Sequence, residues 1–342
     1  MARILYGVSP IGLGHATRGI AVAERLRNLG AEVLFASGGQ ASEFLRSYGF
    51  ETQDIISEPV PSVRNGEMKG ALAWYIRYWR GFGKSKLRVQ RLFSSWRPDV
   101  VVGDEEFTTV SLALERGINH VMITDEMELG FAKTWVAKMA EARVSAWYEG
   151  LQGRVSLLVV PDEGTNTGNR HYVGPIVRSR SKTKDEVIKE FALPGRSSMI
   201  LHAMSGSGLG SHLLDTAIQA VRSIPDSVLV VMGNRGRSVT GERVFDLGVV
   251  REGQNLVASA DLVISTAGKS TIDEAANFGT PIIAIPIRNH AEQERNAAAL
   301  GFSYEDVGRI GELASARIGG RTTPRNFDGA ERVSRIIAGL FS

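Results

Sequence analysis

The chain has 342 residues, of which 43% are hydrophobic and 23% charged, and 40 basic against 37 acidic side chains leave a formal net charge of +3. That near balance offers no basic module, so a nucleic-acid partner is not expected. Cysteine is absent, which excludes disulfides, thiolate metal sites and cysteine nucleophiles. The length exceeds the ~100–200 residues usual for one domain, and two domains of similar size fit best. The opening run Met1-Ala2-Arg3-Ile4-Leu5-Tyr6-Gly7 is too short for a signal peptide, and no stretch nears the ~20 apolar residues of a spanning helix. A cytoplasmic protein is expected.

Apolar runs alternate with helical stretches along the whole chain, the pattern of an α/β protein with parallel sheets covered by helices. Ile4–Tyr6 reads as a buried strand, followed by a Gly-rich loop and an amphipathic helix from about Ala16 to Leu29. Strands are predicted at Glu32–Ala36, Val100–Val102, His120–Thr124 and Ser156–Val160. The rhythm breaks at Tyr172-Val173-Gly174-Pro175-Ile176, and the domain boundary is placed there. It resumes with a strand at Met199–His202, a second Gly-rich loop at Ser205–Ser211 and a helix to about Arg222. Further strands are predicted at Val228–Met232, Leu262–Ser265 and Pro281–Ile285. The expected division is residues 1–176, residues 177–326, and a last helix over 327–342 packing back on the first domain.

Three clusters carry chemistry. The first is Gly12-Leu13-Gly14-His15-Ala16-Thr17-Arg18. Its glycines allow a tight turn at a helix N-terminus, which favours anions. A dinucleotide fingerprint would need glycine where Thr17 stands. His15 instead falls at the carboxyl edge of the first strand, where open α/β sheets bind ligands. The second cluster is Asp104-Glu105-Glu106 after Val100–Gly103, with Asp125, Glu126 and Glu128 after the next strand. A carboxylate from either group would fix the tautomer of a nearby imidazole, so Asp104 and Asp125 are both candidates to orient His15. No Asp-X-Asp signature calls for a metal.

The third cluster is the most specific. It runs from Ser265 through Gly268-Lys269-Ser270-Thr271 to Glu274, then Gly279-Thr280-Pro281, then His290 to Asn296. Backbone N–H groups at Gly268–Thr271 would face an anion such as a diphosphate. Glu274 could accept from two neighbouring ribose hydroxyls, and Glu292 and Gln293 offer an acceptor and an amide to a sugar.

The spacing of Gly268, Thr271, Glu274, Gly279, Pro281, Gln293 and Asn296 resembles the donor-binding region of MurG-like and UDP-glycosyltransferase-like enzymes, families 28 and 1. With Gly14 alone where MurG-like chains double the glycine, the chain looks like a microbial or archaeal branch. The resemblance implies the GT-B architecture, two Rossmann-like domains facing across a cleft. It implies that Ser205, Gly206, Ser207 and Gly208 hold the donor diphosphate, with Gly268, Lys269, Ser270, Thr271, Glu274, Glu292 and Gln293. It implies an acceptor-side loop containing Gly12, Gly14 and Arg18, with His15 as catalytic base and Asp104 as its orienting acid. The implied reaction is an inverting, metal-independent transfer from a nucleotide sugar, UDP-linked, to an acceptor hydroxyl on a lipid-linked molecule or glycan. No cofactor is expected beyond the nucleotide sugar as co-substrate. A sugar-nucleotide 2-epimerase on the same scaffold, or an inactive nucleotide-sugar-binding protein, stands as the alternative.

One further segment stands out. Leu72–Arg97 holds Trp74, Tyr75, Tyr78, Trp79, Phe82, Phe93 and Trp96 with seven Lys or Arg and no acid. Such a basic, aromatic helix fits an anionic membrane surface, and peripheral docking on the inner face is the expectation.

Overall fold

The computed structural model describes residues 1–64, 66–125, 132–204, 210–234 and 239–341. The chain divides into two units, one of 1–62, 70–177 and 327–342, the other of 63–69 and 178–326.

In chain order the first unit contains β1 (Arg3–Val8), α1 (Gly14–Asn28), β2 (Glu32–Ser37), α2 (Gly39–Ser47) and β3 (Thr52–Asp54). The chain then forms the short strands β4 (Ser62–Arg64) and β5 (Glu67–Lys69), which pair with each other. It returns with α3 (Ala71–Trp96), β6 (Val100–Asp104), α4 (Phe107–Arg116), β7 (Asn119–Ile123), α5 (Trp135–Gln152), β8 (Leu157–Val160) and β9 (Arg170–Tyr172). Among the described residues these strands make a seven-stranded sheet in the order β3-β2-β1-β6-β7-β8-β9, parallel throughout. Strands covered on both faces read as continuous apolar runs, and Ile4, Leu5, Val100, Val101 and Val102 are fully buried.

Two glycines explain how tightly one helix seats on this sheet. Gly7 and Gly103 are register partners on β1 and β6. A Cβ on either would collide with the first turn of α4, at Thr109 and Glu106 for Gly7 and at Val110 and Glu106 for Gly103. Glu106 caps that helix, accepting from the backbone N–H of Thr108 at 2.8 Å and Thr109 at 2.9 Å. Such caps satisfy donors that have no partner within the helix.

The second unit contains α6 (Lys184–Glu190), β10 (Ser198–Ala203), α7 (Leu214–Ser223), β11 (Ser227–Met232), β12 (Val244–Asp246), α8 (Gly253–Ser259), β13 (Leu262–Ser265), α9 (Lys269–Phe278), β14 (Ile282–Ala284), α10 (Ala291–Ala299) and α11 (Ile310–Arg317). Its described strands form a parallel sheet ordered β12-β11-β10-β13-β14. Gly279 closes α9 with φ at 68°, the left-handed conformation glycine adopts without a Cβ clash. The ribbon β4–β5 belongs here, since Met68 N donates to Arg288 O at 3.0 Å and Arg288 N to Gly66 O at 2.7 Å. The final helix α12 (Gly329–Ala338) lies in the first unit, where Ala330, Val333 and Ile337 join the core with Ile20 and Ala23 of α1.

Candidate active site

In each sheet the first strand of the unit sits between its own successor and a strand met later in the chain. In the first unit that point lies between β1 and β6, in the second between β10 and β13. The carboxyl edge at such a switch point is where open α/β sheets take ligands.

At the first switch point Val8 pairs with Asp104. The chain leaves β1, turns through Gly12 at φ 75°, and enters α1 at Gly14 and His15. His15 Nδ1 lies 3.1 Å from Asp104 Oδ1. Arg18, one turn further along α1, donates its Nε to both Asp104 oxygens at 3.1 and 2.9 Å and its Nη2 to Oδ1 at 2.5 Å. Its Nη1 donates to both oxygens of Asp125 at 2.7 and 2.8 Å, and its Nη2 lies 3.2 Å from His15 Nδ1. Asp104 is fully buried and Arg18 nearly so. Asp104 therefore touches the imidazole, whereas Asp125 reaches it only through Arg18.

These contacts shift the titrations. Burial disfavours a charged His15 and so does Arg18, but the hydrogen bond and charge of Asp104, with the charge of Glu105, outweigh both and raise its pKa. Burial would raise the Asp104 pKa, yet the Arg18 charge and the hydrogen bonds from His15 and Arg18 hold it below the usual carboxylate value. Glu105 is buried with φ at 48°, a conformation that costs a non-glycine residue ~1–3 kcal/mol and clusters at functional sites. Its Oε1 accepts from Thr124 Oγ1 at 2.6 Å and Asp125 N at 2.8 Å. Burial, then the Asp125 charge, push its pKa up. Glu58 accepts from Ser9 Oγ at 2.9 Å, and burial followed by the Glu106 charge raise it to about 8.

At the second switch point Ala203 pairs with Ser265. Ser205, Gly206, Ser207 and Gly208 lie outside the described residues, as do Glu126 and Glu128. After β13, Ala267 takes φ 58° and Gly268 stands at the N-cap of α9, so Lys269, Ser270 and Thr271 form the first turn. Lys269 Nζ donates to Asp273 at 3.1 and 3.2 Å. Glu274 is buried, and its Oε1 accepts from Arg178 Nη2 at 3.2 Å. Burial raises the Glu274 pKa, while Arg178 opposes the rise by charge and hydrogen bond. Gln293 is buried as well, its Oε1 accepting from Ile287 N at 3.0 Å. Asn296 Nδ2 donates to Ala267 O at 3.2 Å and faces Glu292 Oε1 at 3.4 Å. Among the described residues no group of three His, Asp or Glu is disposed to hold a metal ion.

Comparison with known proteins follows the same halves. Residues 2–145 match glycosyl transferase family 1, and residues 240–306 match the glycosyltransferase family 28 C-terminal domain. A Methanosarcina acetivorans protein named an uncharacterized glycosyltransferase is 25% identical over 332 residues, covering 90% of this chain and 85% of its own. The UDP-N-acetylglucosamine--N-acetylmuramyl-(pentapeptide) pyrophosphoryl-undecaprenol N-acetylglucosamine transferase of Methylobacterium sp. is 28% identical over 311 residues, 84% of this chain and 78% of its own. Among solved structures, the spinosyn rhamnosyltransferase SpnG aligns over 99% of this chain and 96% of its own with a TM-score of 0.64 at 17% identity. Acinetobacter baumannii MurG covers 99% and 100% with a TM-score of 0.58 at 16% identity. The chain is a GT-B glycosyltransferase.

Within this glycosyltransferase the structure gathers His15, Arg18, Asp104 and Asp125 into one cluster, and Gly268–Thr271 with Glu292 and Asn296 into another. It gives several residues a different surrounding from the one the sequence suggests. Glu106 is engaged as the α4 cap rather than facing His15. Gln293 accepts from the backbone N–H of Ile287 before α10, while Asn289 Nδ2 donates to Glu67 Oε1 of the β5 ribbon at 2.7 Å. Glu274 has Arg178 as its partner, a residue at the end of the linker that sequence reasoning passed over. Glu58 and Arg178 carry no local motif, and only a long-range contact marks either one. The aromatics of Leu72–Arg97 serve mainly the core: Trp74, Tyr75, Tyr78 and Phe93 are buried, and Trp79 and Phe82 pack on Trp147 of α5.

Proposed function

We propose that this glycosyltransferase is inverting and metal-independent, and that it moves a sugar from a UDP-linked donor to an acceptor hydroxyl. His15 removes the hydroxyl proton through Nε2 while the acceptor oxygen bonds to the anomeric carbon. The bond from that carbon to the diphosphate oxygen breaks on the opposite face, and its electron pair leaves with the nucleoside diphosphate. The observation that carries this reading is the His15–Asp104 contact at a sheet switch point, with Nδ1 held by the acid. An Nδ1–H donated to Asp104 leaves the Nε2 lone pair as the base. On the donor side, the first turn of α9 offers backbone N–H groups and a helix N-terminus to the departing diphosphate, fixed electrostatic help that grows with developing charge. Support for a nucleoside diphosphate donor comes from relatives named for UDP-N-acetylglucosamine and from SpnG, complexed with thymidine diphosphate.

The test is a binding panel of UDP-, GDP- and dTDP-sugars by thermal shift, followed by product analysis. A UDP-sugar present at a hundredfold its Kd should add about 2.7 kcal/mol of stability. Release of UDP that depends on added acceptor, with an inverted anomer in the product, supports the reading. A retained anomer overturns it, and a C2-epimerised donor formed without acceptor points to the epimerase.

For the acceptor we propose a lipid-linked molecule reached at an anionic membrane surface. No described helix is long and apolar enough to cross a membrane. The exposed apolar side chains favour surface docking: Trp135, Val136 and Met139 open α5, and Ile76 and Trp79 lie on the adjoining α3. Arg77, Arg80, Lys84, Lys133 and Lys138 are exposed on the same stretches, which suits anionic lipid. Co-sedimentation with phosphatidylglycerol vesicles at low salt should be strong and should fall in Trp135→Ala. No co-sedimentation of the unaltered protein retires the idea.

A further inference from the structure

The resting charge of the Arg18 cluster has a consequence for the base. Asp104 is fully buried and carries one negative charge beside two claimants, the imidazole of His15 and the guanidinium of Arg18. A buried carboxylate facing an imidazole alone draws a proton onto the ring, because the ion pair is the only way to keep its charge compensated. A protonated His15 has no lone pair on Nε2 and is no base. Arg18 changes this balance. It presents three hydrogen bonds to Asp104, so the acid is compensated without a proton on His15. Asp125 pulls the other way, taking both bonds of Arg18 Nη1 and neutralising part of the same cation.

We propose that Arg18 is a positioning residue that restrains the pull of Asp104 on His15, keeping Nε2 unprotonated for the acceptor, and that Asp125 sets how strong this restraint is. The inference deepens the base assignment above and rests on it for its catalytic meaning. The geometry singles out Arg18 because its Nη2 sits 3.2 Å from Nδ1 and 2.5 Å from the oxygen that Nδ1 faces. A guanidinium so close to the ring also repels an imidazolium directly. Among the described residues, the other charged or titratable groups around the ring are Glu105, just after β6, and Glu58, in the segment after β3. Tyr6 on β1 faces Asp104 and Arg18, and burial keeps its hydroxyl neutral. Glu105 favours the imidazolium, as Glu58 does whenever it is ionised, and among the described residues Arg18 is the cation that opposes it.

The test reads His15 directly in the resting protein. Labelling histidine with ¹³C marks six imidazoles, and the His15 signal is assigned by its loss in His15→Gln. In Arg18→Gln the His15 midpoint should rise by about one pH unit or more, and the acid limb of the kcat profile should move up with it. In Asp125→Asn the midpoint should move in the opposite direction, because Arg18 is then left wholly to Asp104 and His15. Both variants are checked for folding by circular dichroism. If Arg18→Gln does not fold, Asp125→Asn decides, since Asp125 is partly exposed and its substitution keeps the side-chain shape and one acceptor oxygen. An unmoved His15 midpoint, or movement in the same direction in both variants, overturns the proposal. This outcome is separate from a failure of the base assignment, which would show as unaltered turnover in His15→Ala whatever the titration does.

Discussion

The two switch points are built from the same strand–loop–helix unit yet invest in different physics. In the first unit the carboxyl edge is a buried charge network, with His15, Arg18, Asp104, Glu105 and Asp125 joined by side-chain and backbone hydrogen bonds. In the second unit the described part of the switch-point edge after β13 is small: Thr266, Ala267 and Gly268 turn into the first turn of α9, where Lys269 is paired with Asp273. A proton-transfer site needs a titratable group whose state is controlled, and control comes from fixed neighbouring charges. An anion site needs exposed N–H groups, which any bulky side chain would cover. The contrast teaches that a shared scaffold can be divided by chemistry through the residues of two short loops.

The largest effect expected from breaking this contrast is at His15. A positioned imidazole contributes ~10²–10⁴-fold to deprotonating a hydroxyl, so His15→Ala should lower single-turnover transfer by about that factor. Donor affinity measured alongside by calorimetry should be nearly unchanged, because the proposed donor site lies in the other unit. Loss of donor binding in this variant would mean that the two edges do not divide the work.

Next in size is the charge network itself. Asp104→Ala removes the buried carboxylate that takes three hydrogen bonds from Arg18, and removing one partner of a buried pair costs about 3–5 kcal/mol. Urea unfolding at neutral pH should show that loss. The pH dependence follows from the shifts. Asp104 is held below its unfolded value, so its contribution is present above that value and disappears as pH falls through the folded one. His15 is raised above the ordinary 6.5, so its contribution is full below 6.5 and disappears as pH rises through the folded value. Base catalysis has the opposite sense, and the acid limb of kcat should therefore lie above 6.5.

The smallest effect is predicted for the second edge. Glu274→Ala should weaken UDP binding by ~1.5–3 kcal/mol, the range for a hydrogen bond to a charged group. The same substitution leaves Arg178 without its carboxylate, so Arg178→Ala belongs beside it. If calorimetry finds UDP affinity unaltered in folded Glu274→Ala, the carboxylate serves the packing of α9 and not the donor.

The alternation of apolar runs was enough to place the central strands, because a strand buried on both faces can hardly avoid reading as one, but not the short, half-exposed edge strands β3, β9 and β12. Leu262–Ser265 has the same bounds in sequence and structure, and Val100–Val102 lengthens only to include Gly103 and Asp104. Ends were less legible. The helix predicted from about Ala16 begins at Gly14, so His15 lies within its first turn. The ribbon β4–β5 was not legible, since its strands are three residues each and partly exposed, with no periodicity to mark them. The basic face of α3 was visible in the composition, but its aromatics were not assigned to the core, because their burial depends on α4 and α5 packing over them.

What the sequence determined by itself was therefore local: the α/β alternation, the glycine turns, and the histidine and acids at strand ends. Those properties follow from residue size, backbone freedom and the period of apolar side chains, all of which act within a few positions. Only the tertiary structure decided which acid faces His15, that Arg18 stands between Asp104 and Asp125, and that Arg178 takes Glu274. Those pairings join residues 86 to 107 positions apart in the first unit and 96 apart in the second. Their partners are selected by the register of parallel strands, which no short stretch of chain encodes alone.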